Sequence, residues 1–145
     1  MSDVRPRLLI VAVWALIQVV RLSAISLAQS ILSAANPVAW LFPAYLDVFI
    51  GITAPFVAFA IWRRTGLAVW VSAIVFFSLS IADHLDAVTN ALAGPLPNNT
   101  PGFSTPAATA TGLLVASALD VIALALLTRG RMRSHYLGSL RPAER

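Results

Sequence analysis

Four apolar stretches, each long enough to cross a hydrocarbon core as a helix, leave this chain few folds to choose from. They cover residues 8–33, 38–62, 66–93 and 107–127, where a core of ~30 Å needs ~20 helical residues. In that solvent every backbone N–H and C=O must be satisfied by protein, and a helix does so within its own segment. A membrane barrel would show short alternating segments, and none is present. Hydrophobic residues make up 59% of the 145 and charged residues 11%, too little polar surface to clothe a water-soluble domain. The expectation is an all-α integral membrane protein. Its four-helix transmembrane domain, residues 1–128, forms an antiparallel bundle, and residues 129–145 form a basic tail.

The basic residues set the topology. All ten are arginines, and nine lie outside the apolar stretches: Arg5 and Arg7 before the first, Arg63 and Arg64 between the second and third, and Arg129, Arg131, Arg133, Arg141 and Arg145 after the fourth. None falls in the two other connections. Positive charge concentrates on the cytoplasmic side of membrane proteins, so both termini and the Arg63–Arg64 turn are expected there. The same distribution argues against nucleic acid as a partner, despite a formal net charge of +4. The tail is expected to lie on an anionic inner leaflet. Arginine in place of lysine, in a chain rich in Ala, Leu and Val, fits a bacterial cytoplasmic (inner) membrane.

A secretory leader is the competing reading of the first stretch, because Arg5 and Arg7 precede an apolar run and Ser33-Ala34-Ala35 resembles a cleavage site. That site lies well beyond the run, with Arg21 between them, so the segment is expected to be retained. Connections are short except for residues 94–106. Their four prolines suggest a semi-rigid cap over the external face. Asn98-Asn99-Thr100 has the spacing of a glycosylation acceptor, and we read it as ordinary polar loop. Trp40, Tyr45, Trp62 and Trp70 fall where interfacial rings prefer to sit. Small residues recur at helical spacing (Ser23, Ser26, Ser30 and Ser33; Gly51, Ala54 and Ala58; Thr109, Gly112, Ala116 and Ala123), as close helix packing in lipid requires. Pro43 and Pro55 are expected to kink the second helix.

Much chemistry is excluded by what is missing. With no cysteine and no lysine there is no disulfide, thiolate nucleophile or Schiff base. No phosphate-binding glycine loop or serine-nucleophile motif occurs, and two histidines, one of them His135 in the tail, do not make a bis-His haem site within the bundle. No cofactor is expected. A metal at Asp83-His84-x-Asp86 is disfavoured, because Arg21 would repel it.

Arg21 is the anomaly. A guanidinium stays charged, so inside an apolar segment it needs a carboxylate or trapped water. Each of the other three segments supplies an acid at similar depth. At a 1.5 Å rise per residue, Asp47, Asp83, Arg21 and Asp120 all lie ~14–20 Å from the external end. Asp83, Asp86 and Asn90 share a helix face, and Gln18 shares one with Arg21, with Gln29 two turns further out. The expected site is a polar funnel open to the outside. Asp83 and Asp86 are its proton-handling pair, Asp47 the second carboxylate, Arg21 the group that orients it and His84 a proton relay. Gln18, Gln29, Trp40, Tyr45, Asn90 and Asp120 line the path of a lipophilic substrate.

Three functions fit. One is a small membrane-embedded acid/base enzyme of isomerase, cyclase or epoxide-opening type, since carboxyls in unlike environments divide into acid and base. Another is a homodimeric proton- or cation-coupled transporter using the same aspartates. The last is an accessory subunit whose buried ion pairs fix helix register only. The first is preferred, because intramembrane charges are costly and usually functional.

Overall fold

The structure, a computed structural model, describes residues 4–98 and 104–138. Among these there is no strand. Helix α1 (Arg5–Ile17) passes without a break into a six-residue 3₁₀ segment, Gln18–Ser23, and then α2 (Ala24–Leu32). A 3₁₀ turn, Val38–Trp40, leads into α3 (Leu41–Arg63), followed by α4 (Leu67–Ala93), α5 (Pro106–Thr128) and α6 (Gly130–Leu137). Four continuous spans, Arg5–Leu32, Val38–Arg63, Leu67–Ala93 and Pro106–Thr128, are long and apolar enough to cross a membrane.

Local chemistry explains the helix ends. Thr105 caps α5 by accepting the Ala108 N–H at 3.2 Å, with Pro106 in the first turn, where its missing N–H costs nothing. Gly66 starts α4 at φ 113°, a conformation that side-chain-bearing residues avoid. Pro43 falls in the first turn of α3, among N–H groups that have no helical partner anyway, so only Pro55 is an interior proline. The reason for expecting a kink at Pro43 falls away, because the helix has barely begun there.

The interior has two apolar layers. One gathers Val11, Ile50, Ile61, Phe77 and Leu127 toward the arginine-rich end. The other gathers Leu27, Ile31, Trp40, Ala44 and Ala91 toward the opposite end. Gln18, Arg21, Ser80, Asp83, His84 and Asp120 are buried between them in sequence position. The small-residue stripes divide into two kinds. Gly51, Ala54 and Ala58 on α3 are buried, and a Cβ added at Gly51 would meet the Leu22 backbone nitrogen at 3.0 Å. The serines of α2 instead satisfy themselves: Ser26 donates to the Ser23 carbonyl at 2.8 Å and Ser33 to the Ser30 carbonyl at 3.0 Å.

The basic tail is more than a surface strap. As far as residue 138, α6 docks on the core: Met132 and Tyr136 have no exposed surface. The Tyr136 hydroxyl donates to the Ile61 carbonyl at 3.1 Å, and its own carbonyl accepts the Gly66 N–H at 3.0 Å. Asn98 donates its backbone N–H to Asn36 at 2.6 Å. The rest of the glycosylation-like triplet, with Arg141 and Arg145 of the tail, lies outside the described residues.

Gly51→Val should cost about 1–3 kcal/mol by overpacking, whereas Gly112→Ala, where an added Cβ meets nothing within 4 Å, should be neutral or better. Thermal unfolding in detergent checks both. Burial pushes the Tyr136 phenol up to about 12. An unfolded tyrosine ionises near ~10, so the native state holds the extra proton and its stability falls as pH climbs from that value toward 12. Comparing unfolding midpoints at increasing alkaline pH, Tyr136→Phe should start lower, for want of the hydrogen bond, yet lose less than the wild type.

Candidate functional site

The 3₁₀ segment builds the site. In a 3₁₀ helix side chains at i and i+3 eclipse, which stacks Arg21 directly on Gln18, and Arg21 Nε–H donates to Gln18 Oε1 at 2.6 Å. Six residues is long for such a segment. It lies against α3, where Gly51 admits the Leu22 backbone. The segment itself contains no glycine or proline that would announce the change of winding.

A guanidinium carries five N–H donors, and each has its own acceptor here. Besides Gln18, Nη1 donates to Asp47 Oδ1 and Asp83 Oδ2, both at 2.6 Å. Nη2 donates to Ser80 Oγ and reaches His84 Nε2, both at 2.5 Å. An imidazole nitrogen facing a guanidinium must accept, which leaves the ring proton on Nδ1, 3.3 Å from Asp120 Oδ2. Arg21 is thus solvated entirely by protein.

Asp120 is the counterpart on the acceptor side. Its Oδ1 accepts from Trp14 Nε1 at 2.8 Å and Gln18 Nε2 at 2.9 Å. Its Oδ2 accepts from Ser80 Oγ at 2.6 Å and faces the His84 ring. Those contacts use about all the lone-pair positions a carboxylate has. Asp120 never touches Arg21; it aims Gln18, Ser80 and His84, which do.

Two carboxylate oxygens are left without a hydrogen bond. Asp83 is buried, and its Oδ1 has no hydrogen-bond partner. Asp47 is bound through Oδ1 alone, with its side chain 30% exposed. Both residues line a cavity of about 120 Å³, completed by Ser23, Ser26, Trp40, Ala87 and Leu113 among others. Trp40 is fixed there by an indole N–H donated to the Pro95 carbonyl at 3.0 Å.

The structure therefore brings Arg21, Asp47, Asp83, His84, Gln18 and Asp120 into one network and puts Trp40 beside it. It leaves others out. Asp86 is exposed and receives only a long 3.5 Å contact from Asn90, whose amide also bonds the Ala39 carbonyl at 3.1 Å. Gln29 and Tyr45 face outward. The funnel along Asp83, Asp86 and Asn90 is replaced by a face running Ser80, Asp83, His84, Ala87 and Ala91. A seven-residue step of α4 turns the helix slightly less than two full turns, and the burial follows Ala87 and not Asp86. Trp14 and Ser80 belong to the network as well. Trp14 lies four and seven residues before Gln18 and Arg21, on their face, and its indole N–H needs a partner when buried; that spacing was the available signal. Among the described residues no three His, Asp or Glu side chains converge as a metal would require, because the guanidinium fills the centre.

No protein-family model matches the chain, and neither a curated protein nor a solved structure shows significant similarity to it.

Removing the cation alone should be worse than removing cation and acids together. Arg21→Met leaves buried carboxyls without their counter-ion, at about 3–5 kcal/mol, and Arg21→Met/Asp47→Asn/Asp83→Asn should recover part of that loss. Unfolding midpoints in detergent decide it; a triple variant no more stable than the single one would mean that the acids do not depend on the cation.

Proposed function

We propose that this chain is a membrane-embedded acid/base catalyst acting on the reactive end of a lipophilic molecule, with Asp47 and Asp83 as the working carboxyls. The observation that carries the reading is a pair of half-satisfied acids at one cavity. Each is tied to the same Arg21 nitrogen through one oxygen, leaves the other without a hydrogen bond, and lines the same space. Arg21 has no donor left for a ligand, so its role is to hold the two acids in register, and Asp120 and His84 hold Arg21.

Two adjacent carboxyls that share one proton would supply acid and base together. The acid would protonate an alkene carbon or an epoxide oxygen, and the base would take a proton from the neighbouring carbon. For an isomerisation the protons balance, and exchange between the adjacent acids restores the starting state. A cavity of about 120 Å³ is near the size that takes up benzene, ~150 Å³. It suits a five- or six-carbon end group, with the remaining tail in lipid. Access from the bilayer is supported by packing: α1 packs on both α3 and α5, whereas α2, past the 3₁₀ segment, packs on α3 and the Val38–Trp40 turn without comparable packing on α5. The arginine distribution supports an antiparallel four-helix arrangement with both termini cytoplasmic.

The test uses purified protein in nanodiscs in D2O with a panel of isoprenoid alkenes and epoxides, read by mass spectrometry. Deuterium incorporation or ring opening is expected, falling by about 10²–10⁴ in Asp83→Asn and in Asp47→Asn. Turnover undiminished in both variants would sink the assignment. Movement of an unaltered compound down a pH gradient in liposomes, lost in Asp83→Asn, would give these acids to transport instead.

A further inference from the structure

A second feature lies at the arginine-rich end, away from the acids. Where α1, α3 and α6 meet there is a cavity of about 350 Å³ lined by Arg5, Arg63, Arg64, His135 and, at its apolar side, Leu8 and Trp62, among others. Arg63 and Arg64 make no ion pair among the described residues. The described acids are Asp47, Asp83, Asp86 and Asp120, and the one on α3 lies about 24 Å up the helix from Arg63 by the rise per residue. Helix α1 begins beside this cavity without a side-chain cap or an acidic residue in its first turn, so its positive dipole end adds to the field. His135 is held in place because α6 is docked: its ring packs edge-on, 5.2 Å from buried Tyr136.

A groove borders the same tryptophan. It is a second space of about 350 Å³ between α1 and α3, walled by Leu9, Val13, Leu16, Pro55, Phe59 and Trp62. From Trp62 to Pro55 the groove extends about 10 Å along the helix, the length of half an acyl chain. A basic pocket at a helix end and an apolar groove along the span share one tryptophan. We propose that together they bind a single anionic phospholipid. Its phosphate sits on Arg63 and Arg64, with His135 as a further donor, and one acyl chain lies in the α1–α3 groove. Arginine forks suit the phosphate oxygens, and the indole sits at the boundary between headgroup and chain. The site is independent of the acid/base assignment.

The full chain in zwitterionic detergent is titrated with dioleoyl phosphatidylglycerol, dioleoyl phosphatidylcholine, dihexanoyl phosphatidylglycerol and inorganic phosphate. Retained lipid is counted by native mass spectrometry and the unfolding midpoint is followed alongside. A preference of at least about tenfold for the anionic dioleoyl lipid is expected. It should vanish in Arg63→Gln/Arg64→Gln, survive in Arg131→Gln on the exposed side of α6, and weaken with dihexanoyl chains. Phe59→Ala should weaken the dioleoyl lipid without affecting the dihexanoyl one. Equal retention of both dioleoyl lipids overturns the proposal. So does an Arg131→Gln loss as large as the pair's, which would mean diffuse attraction. Stabilisation by inorganic phosphate matching that of the lipid overturns it in favour of a free-anion site. Should the double variant lose its helical circular dichroism, the headgroup and chain-length comparisons on the wild type still decide.

Discussion

An arginine in hydrocarbon cannot shed its charge, and the rest of this structure follows from how that charge is solvated. Water is replaced by five acceptors from three spans: Gln18, Asp47, Asp83, Ser80 and His84. Low dielectric makes each of these contacts strong and each omission costly. The network is therefore closed on its donor side, and Asp120 closes it again one layer further by filling its own acceptor positions from Trp14, Gln18 and Ser80. A polar layer so complete separates two apolar layers that could otherwise slide past one another, since lipid-like surfaces give little register to helices in a membrane.

The backbone is shaped to the same end. Tightening residues 18–23 into 3₁₀ geometry brings Gln18 and Arg21 onto one line, and Gly51 lets that segment lie close on α3. The neighbours of the first span also change along it: α3 and α5 below the segment, α3 and the Val38–Trp40 turn above it. The cavity lined by Asp47 and Asp83 lies on that upper side, bounded by Ser23 and Ser26 from the first span and Leu113 from α5. One local irregularity thus serves the cation and makes room for a ligand beside it.

The spans and the membership of Arg21, Asp47, Asp83 and Asp120 in one layer were legible in the sequence, because length and depth along a helix follow from a constant rise per residue. What was not legible is rotation. Asp86 shares a face with Asp83 by spacing, yet the buried sector of α4 is centred on Ser80, with Asp83 toward one edge. A rotation of about 120° from that centre puts Asp86 outside. Spacing defines a face without saying which neighbour it meets. The 3₁₀ segment was invisible for a related reason: nothing in Gln-Val-Val-Arg-Leu-Ser forbids an α-helix, and the tighter winding is imposed by contacts made far away in sequence. The docking of α6 was hidden by its arginines, which suit an anionic lipid surface equally well, while Met132 and Tyr136 on the opposite side carry the packing.

The division between closed and open groups bears on function more than the number of charges does. A cation carrier must let its ion trade one set of ligands for another, whereas the cation here is covalently part of the helix and has no donor to spare. The two acids it holds do have capacity to spare, at Asp83 Oδ1 and at the partly exposed Asp47. Two acids held in place beside a ligand-sized space suit proton transfer, because positions fixed before the reaction need not reorganise during it. The same rigidity is a liability for transport, where access must alternate between sides and the helices around the site must move. On that physical ground the network is better suited to the proposed chemistry at a fixed place than to alternating access.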